Sequence, residues 1–333
     1  MYYKNLDVII PTYNRAEYLK IALESLCESI ASWRKTIVLN NASTDNTLDV
    51  VKEIQIKYPN RNIEIITNEK NIGNAGNFRR TQEIASNEFT AVFHDDDAIH
   101  PEYIDRAMKL ISESDDDISM VSGGAIALYD VNHENWGMLP NSYWKYSSRE
   151  NVFLQLILGR PVFCSAIYRT DIYKKIRYKY EKYGKLHDII FMSEIGATGV
   201  TLFLHGETVR WRQHVGSDSN TLKTGPFPKE IIAILASLKT IYLKNCKRNS
   251  VFSKCKMLLF YTLLFNFSLF LYQWSDLERF LSWDEFKKQM INENIFNKIQ
   301  YSMFNKIIDL ILNPCIRKLA PRISKKNSYI YQW

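Results

Sequence analysis

The 333 residues are enough for two domains, or for one large domain with an extension, and the 46% apolar and 24% charged fractions exclude a disordered or low-complexity chain. The net charge of +7 is uneven: residues 226–333 hold 17 Lys and Arg against 7 Asp and Glu, whereas residues 1–225 hold 26 against 29. That split predicts a catalytic part, residues 1–225, and a basic extension, residues 226–333, that meets something anionic; nothing in it asks for nucleic acid. Cys27, Cys164, Cys246, Cys255 and Cys315 are scattered without a Cys-x-x-Cys pair, as expected for reduced thiols in a cytoplasmic protein. The N-terminus enters a strand directly, with no signal-peptide core or cleavage site, so export is not expected.

In chain order, strand-like runs fall at 7–10, 35–39, 63–67, 89–94 and 118–122, with helix-like segments at 16–30, 47–57, 75–85 and 101–112 between them. Leu19, Ala22, Leu23 and Leu26 recur at three- and four-residue spacing, one face of a helix. Strands alternating with helices predict an α/β fold with a mostly parallel central sheet. From 123 to 149 the pattern weakens; Trp136 and Trp144 there either line a sugar cleft or cover the sheet edge. Periodicity returns at 152–158, in a strand at 162–168, a helix at 188–197, and a closing strand pair at 201–205 and 208–211. Beyond Gly225 the chain turns helical, at 231–245 and 257–274. The second segment sits at the lower length limit of a membrane span and is interrupted by Asn266, Ser268 and Gln273, which fits a buried or interfacial helix better. Arg317, Lys318, Arg322, Lys325 and Lys326 either touch anionic lipid or form a solvated basic face.

The sharpest chemical signal is an apolar run that ends in His94-Asp95-Asp96-Asp97. Adjacent carboxylates repel, and hard oxygen ligands suit Mg2+ or Mn2+. In open α/β sheets, ligands sit just past strand carboxyl ends, where these residues fall. Two other strands end in Pro11-Thr12-Tyr13-Asn14-Arg15 and in Asn40-Asn41-Ala42-Ser43-Thr44-Asp45, beside helix starts that favour anions. A later loop, Asn68-Glu69-Lys70-Asn71-Ile72-Gly73-Asn74-Ala75-Gly76-Asn77, has two glycines that let backbone approach a ligand closely. Singly, each of these is turn or cap chemistry; in this order they describe a nucleotide-sugar pocket. The absence of a Gly-x-x-x-x-Gly-Lys loop and of a Gly-x-Gly-x-x-Gly fingerprint argues against a kinase, an ATPase or a dinucleotide oxidoreductase.

Over roughly residues 5–220 these motifs resemble the inverting glycosyltransferases of family 2, which have the GT-A fold and include bacterial enzymes of cell-surface polysaccharides. The resemblance implies donor contacts from Pro11, Thr12, Tyr13, Asn14, Arg15, Asn40, Asn41, Asn71, Gly73, Asn77, His94, Asp95 and Arg212. It implies Asp96, Asp97 and His214 as ligands of Mn2+ or Mg2+, and a metal that holds the diphosphate of the donor, with a UDP-sugar favoured. His187-Asp188 opens an apolar-periodic segment as the family's acidic base does, which makes Asp188 the expected general base; a helix N-cap is the plainer role for the same residue. Trp211-Arg212-Gln213-His214 resembles the segment that closes over the diphosphate. Asn40-Asn41 departs from the usual aspartate at that position, and His94 stands where Asp is common. The acceptor implied is a cell-surface glycan or a lipid-linked sugar, met at the inner face of the cytoplasmic membrane. A sugar nucleotidyltransferase and a non-catalytic assembly protein of the same fold are the rival readings.

Overall fold

Leu6, Val8, Ile9 and Ile10 in strand β1 (Tyr2–Thr12) are all fully buried, so the strand reads as a continuous apolar run and not as an alternation. In the computed structural model, which describes residues 1–128, 135–148, 151–152, 162–214, 228–245, 257, 259–268, 282–297 and 300, β1 lies at the middle of one parallel half-sheet. It pairs in parallel with β2 (Ser32–Asn40) and β4 (Phe89–Val92), and β3 (Ile63–Thr67) extends β2 in parallel. Helices α1 (Ala16–Cys27), α2 (Thr47–Lys57) and α3 (Gly73–Ile84) make the crossovers among these strands. Helix α1 stops at Cys27, three residues short of the expected end. There the Arg61 guanidinium takes the carbonyls of Cys27, Ser29 and Ala31, which satisfies acceptors that a longer helix would have used.

Beyond β4 the sheet becomes mixed. Its order is β3-β2-β1-β4-β8-β6-β9-β5, with β5 (Ala98–Ile99), β6 (Ile118–Leu128), β8 (Ile167–Arg169) and β9 (Val200–Arg212), and β7 (Tyr143–Tyr146) paired on β9. Helix α4 (Tyr103–Ser112) precedes β6. Strands β6 and β9 are parallel to each other, whereas β8 runs antiparallel to both β4 and β6. Two expectations fail in this half. Residues 201–205 and 208–211 are not a strand pair but one strand, β9, pairing with β6 on both sides of a bulge. Gly123 pairs with Leu204 and Ala125 with Val209, so four residues of β9 stand opposite Gly124 alone. Gly206 takes φ +96°, and a Cβ on Gly124 would lie 2.4 Å from the Gly206 carbonyl oxygen, so the bulge needs both glycines. The strand expected at 162–168 shortens to β8 behind a 3-10 turn at Phe163–Ser165. There Ser165 Oγ accepts from the Gly123 N–H at 3.0 Å, a side-chain bond replacing a ladder bond. Both tryptophans cover the sheet edge. Trp144 stacks on Phe203 at 5.8 Å, and Trp136 lies between the His100 ring at 5.1 Å and the Arg210 guanidinium at 4.0 Å.

Short helices α5 (Thr170–Lys175) and α6 (Tyr180–Tyr183) lead to α7 (His187–Gly196), and α8 (Pro228–Asn245) and α9 (Trp283–Asn292) follow β9. A hydrophobic core joins α6 and α7 to these later helices through Tyr183, Ile189, Ile190, Ile231, Leu235 and Phe286. Residues 259–268 are helical and send Phe260 and Leu264, both 0% exposed, into the same core; Phe260 stacks on Tyr242 at 3.8 Å. This part of the apolar segment is therefore buried core, and its remainder to Trp274 lies outside the described residues. Among the described residues no helix is long and apolar enough to cross a membrane. The basic cluster from Arg317 to Lys326 and residues 215–219 also lie outside them.

Candidate active site at the strand carboxyl ends

Three neighbouring parallel strands, β2, β1 and β4, deliver their C-terminal loops to one edge of the sheet. The loops after β1 and β2 are tied together: the Asn14 N–H donates to Ser43 Oγ at 3.0 Å, and the Thr44 N–H donates to Asn14 Oδ1 at 2.7 Å. Asp45 accepts from the Ala16 N–H at 3.0 Å and the Thr47 N–H at 3.1 Å, serving the first turns of α1 and α2 together. Burial pushes the Asp45 pKa up, but these bonds and the Thr47 hydroxyl prevail and hold it below the usual carboxylate range. Asn14 and Ala42 sit at φ +49° and +58°. Asn tolerates that region, whereas alanine is strained there by about 1 kcal/mol. Ala42→Gly is expected to stabilise the fold by up to about 0.5 kcal/mol, the relief of strain exceeding the added chain entropy; equilibrium urea unfolding measures it, with an unchanged slope.

Asn40 and Asn41 are each 1% exposed. The Asn41 amide is committed to the following loop: it donates to Asn71 Oδ1 at 2.8 Å and accepts from Asn68 Nδ2 and the Ile72 N–H, both at 3.0 Å. Asn68 also donates to Asn77 Oδ1 at 3.0 Å, and the Gly73 N–H donates to Asn71 Oδ1 at 2.8 Å. Asn40 Oδ1 accepts from the Ser43 N–H at 3.0 Å. The structure thus gathers Asn40, Asn41, Asn71, Gly73 and Asn77 in one network. Its organiser is Asn68, which opens the loop singled out in the sequence but has no individual role marked there. Pro11 and Thr12 are buried at the end of β1, while Tyr13 is exposed at the rim.

Beside this network lie the carboxylates. Asp95, Asp96 and Asp97 are 5%, 8% and 1% exposed. Arg15 Nη1 bridges two of them, at 3.1 Å from Asp95 Oδ1 and 2.9 Å from Asp96 Oδ2. His214 Nε2 lies 3.1 Å from the same Asp96 Oδ2. The Arg212 N–H donates to Asp97 Oδ1 at 3.0 Å and its Nε–H to the Asp96 carbonyl at 3.2 Å. Tyr18 supports both of these residues, with its ring 4.8 Å from the Arg212 guanidinium and 4.7 Å from the His214 imidazole. Burial, followed by the charge of Asp96, raises the pKa of Asp95 and of Asp97, and Arg15 partly offsets the effect at Asp95. The buried Cys164 thiol faces Asp97.

The chemistry of this group fits a divalent cation. His94, Asp96 and Asp97 each offer a ligand atom, all within 4.8 Å of one another. Asp97 Oδ2 is fully buried without a hydrogen bond among the described residues; the carboxylate has the weak Cys164 thiol donor beside it, and His94 Nδ1 lies 3.6 Å from Oδ2. Such an oxygen is costly to bury unless a charge meets it. His94, expected on the donor side, stands inside this group, whereas His214 stands outside it and holds Asp96.

Asp188 lies in the first turn of α7, and Leu186 is the capping position, so the carboxylate does not serve as the N-cap. An aromatic array connects that turn to the carboxylates. The Phe163 ring lies 5.5 Å from the His94 imidazole and 6.2 Å from that of His187, while Tyr178 packs against His187 at 4.0 Å and Phe78 against His94 at 5.7 Å. Phe78, Phe163 and Tyr178 thus link His94 of the acidic loop to His187, the residue before Asp188. No spacing in the sequence marks them, because they come from α3, a 3-10 turn and a loop.

This arrangement can be compared with known proteins. The glycosyl transferase family 2 model matches residues 7–177. Poly(ribitol-phosphate) beta-N-acetylglucosaminyltransferase TarS of Staphylococcus aureus is 28% identical over 203 residues, 59% of this chain and 31% of TarS. Glycosyltransferase YibD of Escherichia coli K12 is 27% identical over 135 residues, 40% of this chain and 38% of YibD. The chain therefore matches only about a third of the length of these curated relatives. The crystal structure of S. aureus TarS 1-349 with UDP-GlcNAc superposes with a TM-score of 0.64 at 19% identity, covering 87% of this chain and 79% of that one. The superposition identifies the mixed sheet and its helices as the GT-A fold. With the family model spanning both donor-side loops, the acidic loop and β8, the chain belongs to glycosyl transferase family 2.

Proposed function

We propose that the protein transfers a hexose-type sugar, with inversion, from a nucleoside diphosphate donor to a cell-surface glycan or lipid-linked acceptor. A UDP-sugar is favoured, in keeping with the UDP-GlcNAc bound to TarS. The observation that carries the reading is the convergence of Arg15, Asp95, Asp96, Asp97, Arg212 and His214 at the end of β4, with His187, the neighbour of Asp188, joined to that loop through Phe163. Inversion by single displacement requires a leaving-group clamp on one side and one proton acceptor on the other, and this reading gives those roles to the acidic loop with Arg212 and to Asp188. The acceptor hydroxyl gives its proton to Asp188, its oxygen forms the new bond to the anomeric carbon, and the old carbon–oxygen bond breaks with its electron pair leaving on the diphosphate. Arg212, fixed by Asp97 and Tyr18, meets that charge. Mn2+ or Mg2+, held by Asp96 and Asp97 with a histidine nitrogen beside them, would neutralise the diphosphate.

Residues 1–225 carry the donor side in this reading, and the basic extension, residues 226–333, faces the anionic acceptor or membrane surface from the cytoplasmic side. The deciding experiment is a thermal-shift panel of nucleotide sugars with Mn2+. The donor, supplied at a hundred times its dissociation constant, is expected to add about 2.7 kcal/mol of stability. A panel with no shift would sink the donor assignment, and pyrophosphate release from a nucleoside triphosphate and a sugar phosphate would replace transfer with nucleotidyl chemistry.

A further inference from the structure

We infer that Arg15 is a resident counter-cation that competes with the divalent ion for Asp96, and that a nucleoside diphosphate promotes metal loading by drawing Arg15 away. The inference rests on the proposed metal-dependent use of this site. Asp96 Oδ2 already receives two donors, Arg15 Nη1 at 2.9 Å and His214 Nε2 at 3.1 Å. Each carboxylate oxygen has about two lone-pair directions, so an ion that takes this oxygen displaces one of the two donors, and an ion on the other oxygen of Asp96 still meets the Arg15 charge. The residue that leaves is Arg15. His214 is pinned under the Tyr18 ring at 4.7 Å with a side chain 14% exposed, whereas the Arg15 side chain is 31% exposed at the rim. Charge argues the same way, since a guanidinium beside a divalent ion is repelled in a site this buried.

Arg15 also neutralises Asp95, at 3.1 Å, so its departure leaves two carboxylates to the incoming ion. The displaced guanidinium stands immediately before α1, and a diphosphate supplies an anion that can take its charge. Metal and nucleotide thus help each other through Arg15 as well as through direct contact. Nucleotide binding relocates the arginine, and the relocated arginine no longer opposes the metal.

The test is Mn2+ binding, read as loss of the free-ion EPR signal, for the EDTA-treated full chain and its Arg15→Gln and Arg15→Lys variants, with and without UDP. Wild type is expected to bind Mn2+ weakly alone and more tightly with UDP. Arg15→Gln is expected to bind Mn2+ alone at least about five-fold more tightly, the lower end of usual coupling factors, and to gain correspondingly less from UDP. Arg15→Lys, which keeps the charge on a shorter side chain with a more strongly hydrated head, should fall between them and covers the case in which the glutamine variant misfolds. Equal or weaker Mn2+ affinity in a folded Arg15→Gln protein overturns the inference while leaving the transferase reading intact. A wild type that takes up no Mn2+ in either condition overturns both the metal assignment and the inference.

Discussion

Asp96→Ala is expected to lower sugar transfer about a thousand-fold while leaving the melting temperature unchanged or raised. Charge stabilisation at a departing diphosphate is worth several kcal/mol, and a thousand-fold corresponds to about 4 kcal/mol. Stability moves the other way because Asp96 is the group whose charge, after burial, most opposes ionisation of Asp95 and Asp97. Removing it relieves repulsion among three carboxylates that are all at least nine-tenths buried. Arg15 keeps Asp95 as a partner at 3.1 Å, so no buried cation is stranded. Initial rates with a matched donor and acceptor, together with calorimetric melting, check both halves. A variant that loses activity only in proportion to lost folded protein would assign Asp96 to structure.

Asp188→Asn separates the two sides of the reaction. The side chain keeps its shape, and the first turn of α7 keeps its capping position at Leu186, so the helix and its buried face should persist. Turnover is expected to fall by about 10²–10⁴-fold, the usual contribution of a positioned base, with donor affinity within about two-fold of wild type. Single-turnover rates and donor titration by calorimetry give the two quantities. A large loss of donor affinity would move Asp188 to the donor side and leave the proton without an acceptor at this position.

Much of the donor side is legible in the amino-acid order because each signal is local. Thr47–Lys57 and Ile63–Thr67 coincide with their expected ranges, since apolar period and capping chemistry are written within a dozen residues. The tetrad after β4 and the asparagines after β2 fall at strand ends for the same reason. What escapes is whatever depends on partners far along the chain. Strand β5 has two residues and exists through pairing with β9 more than a hundred positions later. The bulge at Gly206 is shaped by Gly124 on β6, so β9 looks like two strands in isolation. His94 and His214 both reach the acidic loop, at 3.6 Å from Asp97 and 3.1 Å from Asp96, although they lie far apart along the chain. The aromatic array of Phe78, Phe163 and Tyr178 is likewise assembled only by folding.

Helix α7 has one face toward the aromatic array and another in the core built with α8 and α9. Tyr183, just before it, reaches Ser237 of α8 at 2.9 Å, and Ile189 and Ile190 share buried space with Ile231 and Phe286. The residue proposed to take the proton is therefore aimed by side chains beyond the family's matched region. Chimeras that exchange the segment after Gly225 between relatives would accordingly shift the rate of bond formation, not acceptor preference alone. Grafts intended to retune specificity should carry α6 and α7 along with α8.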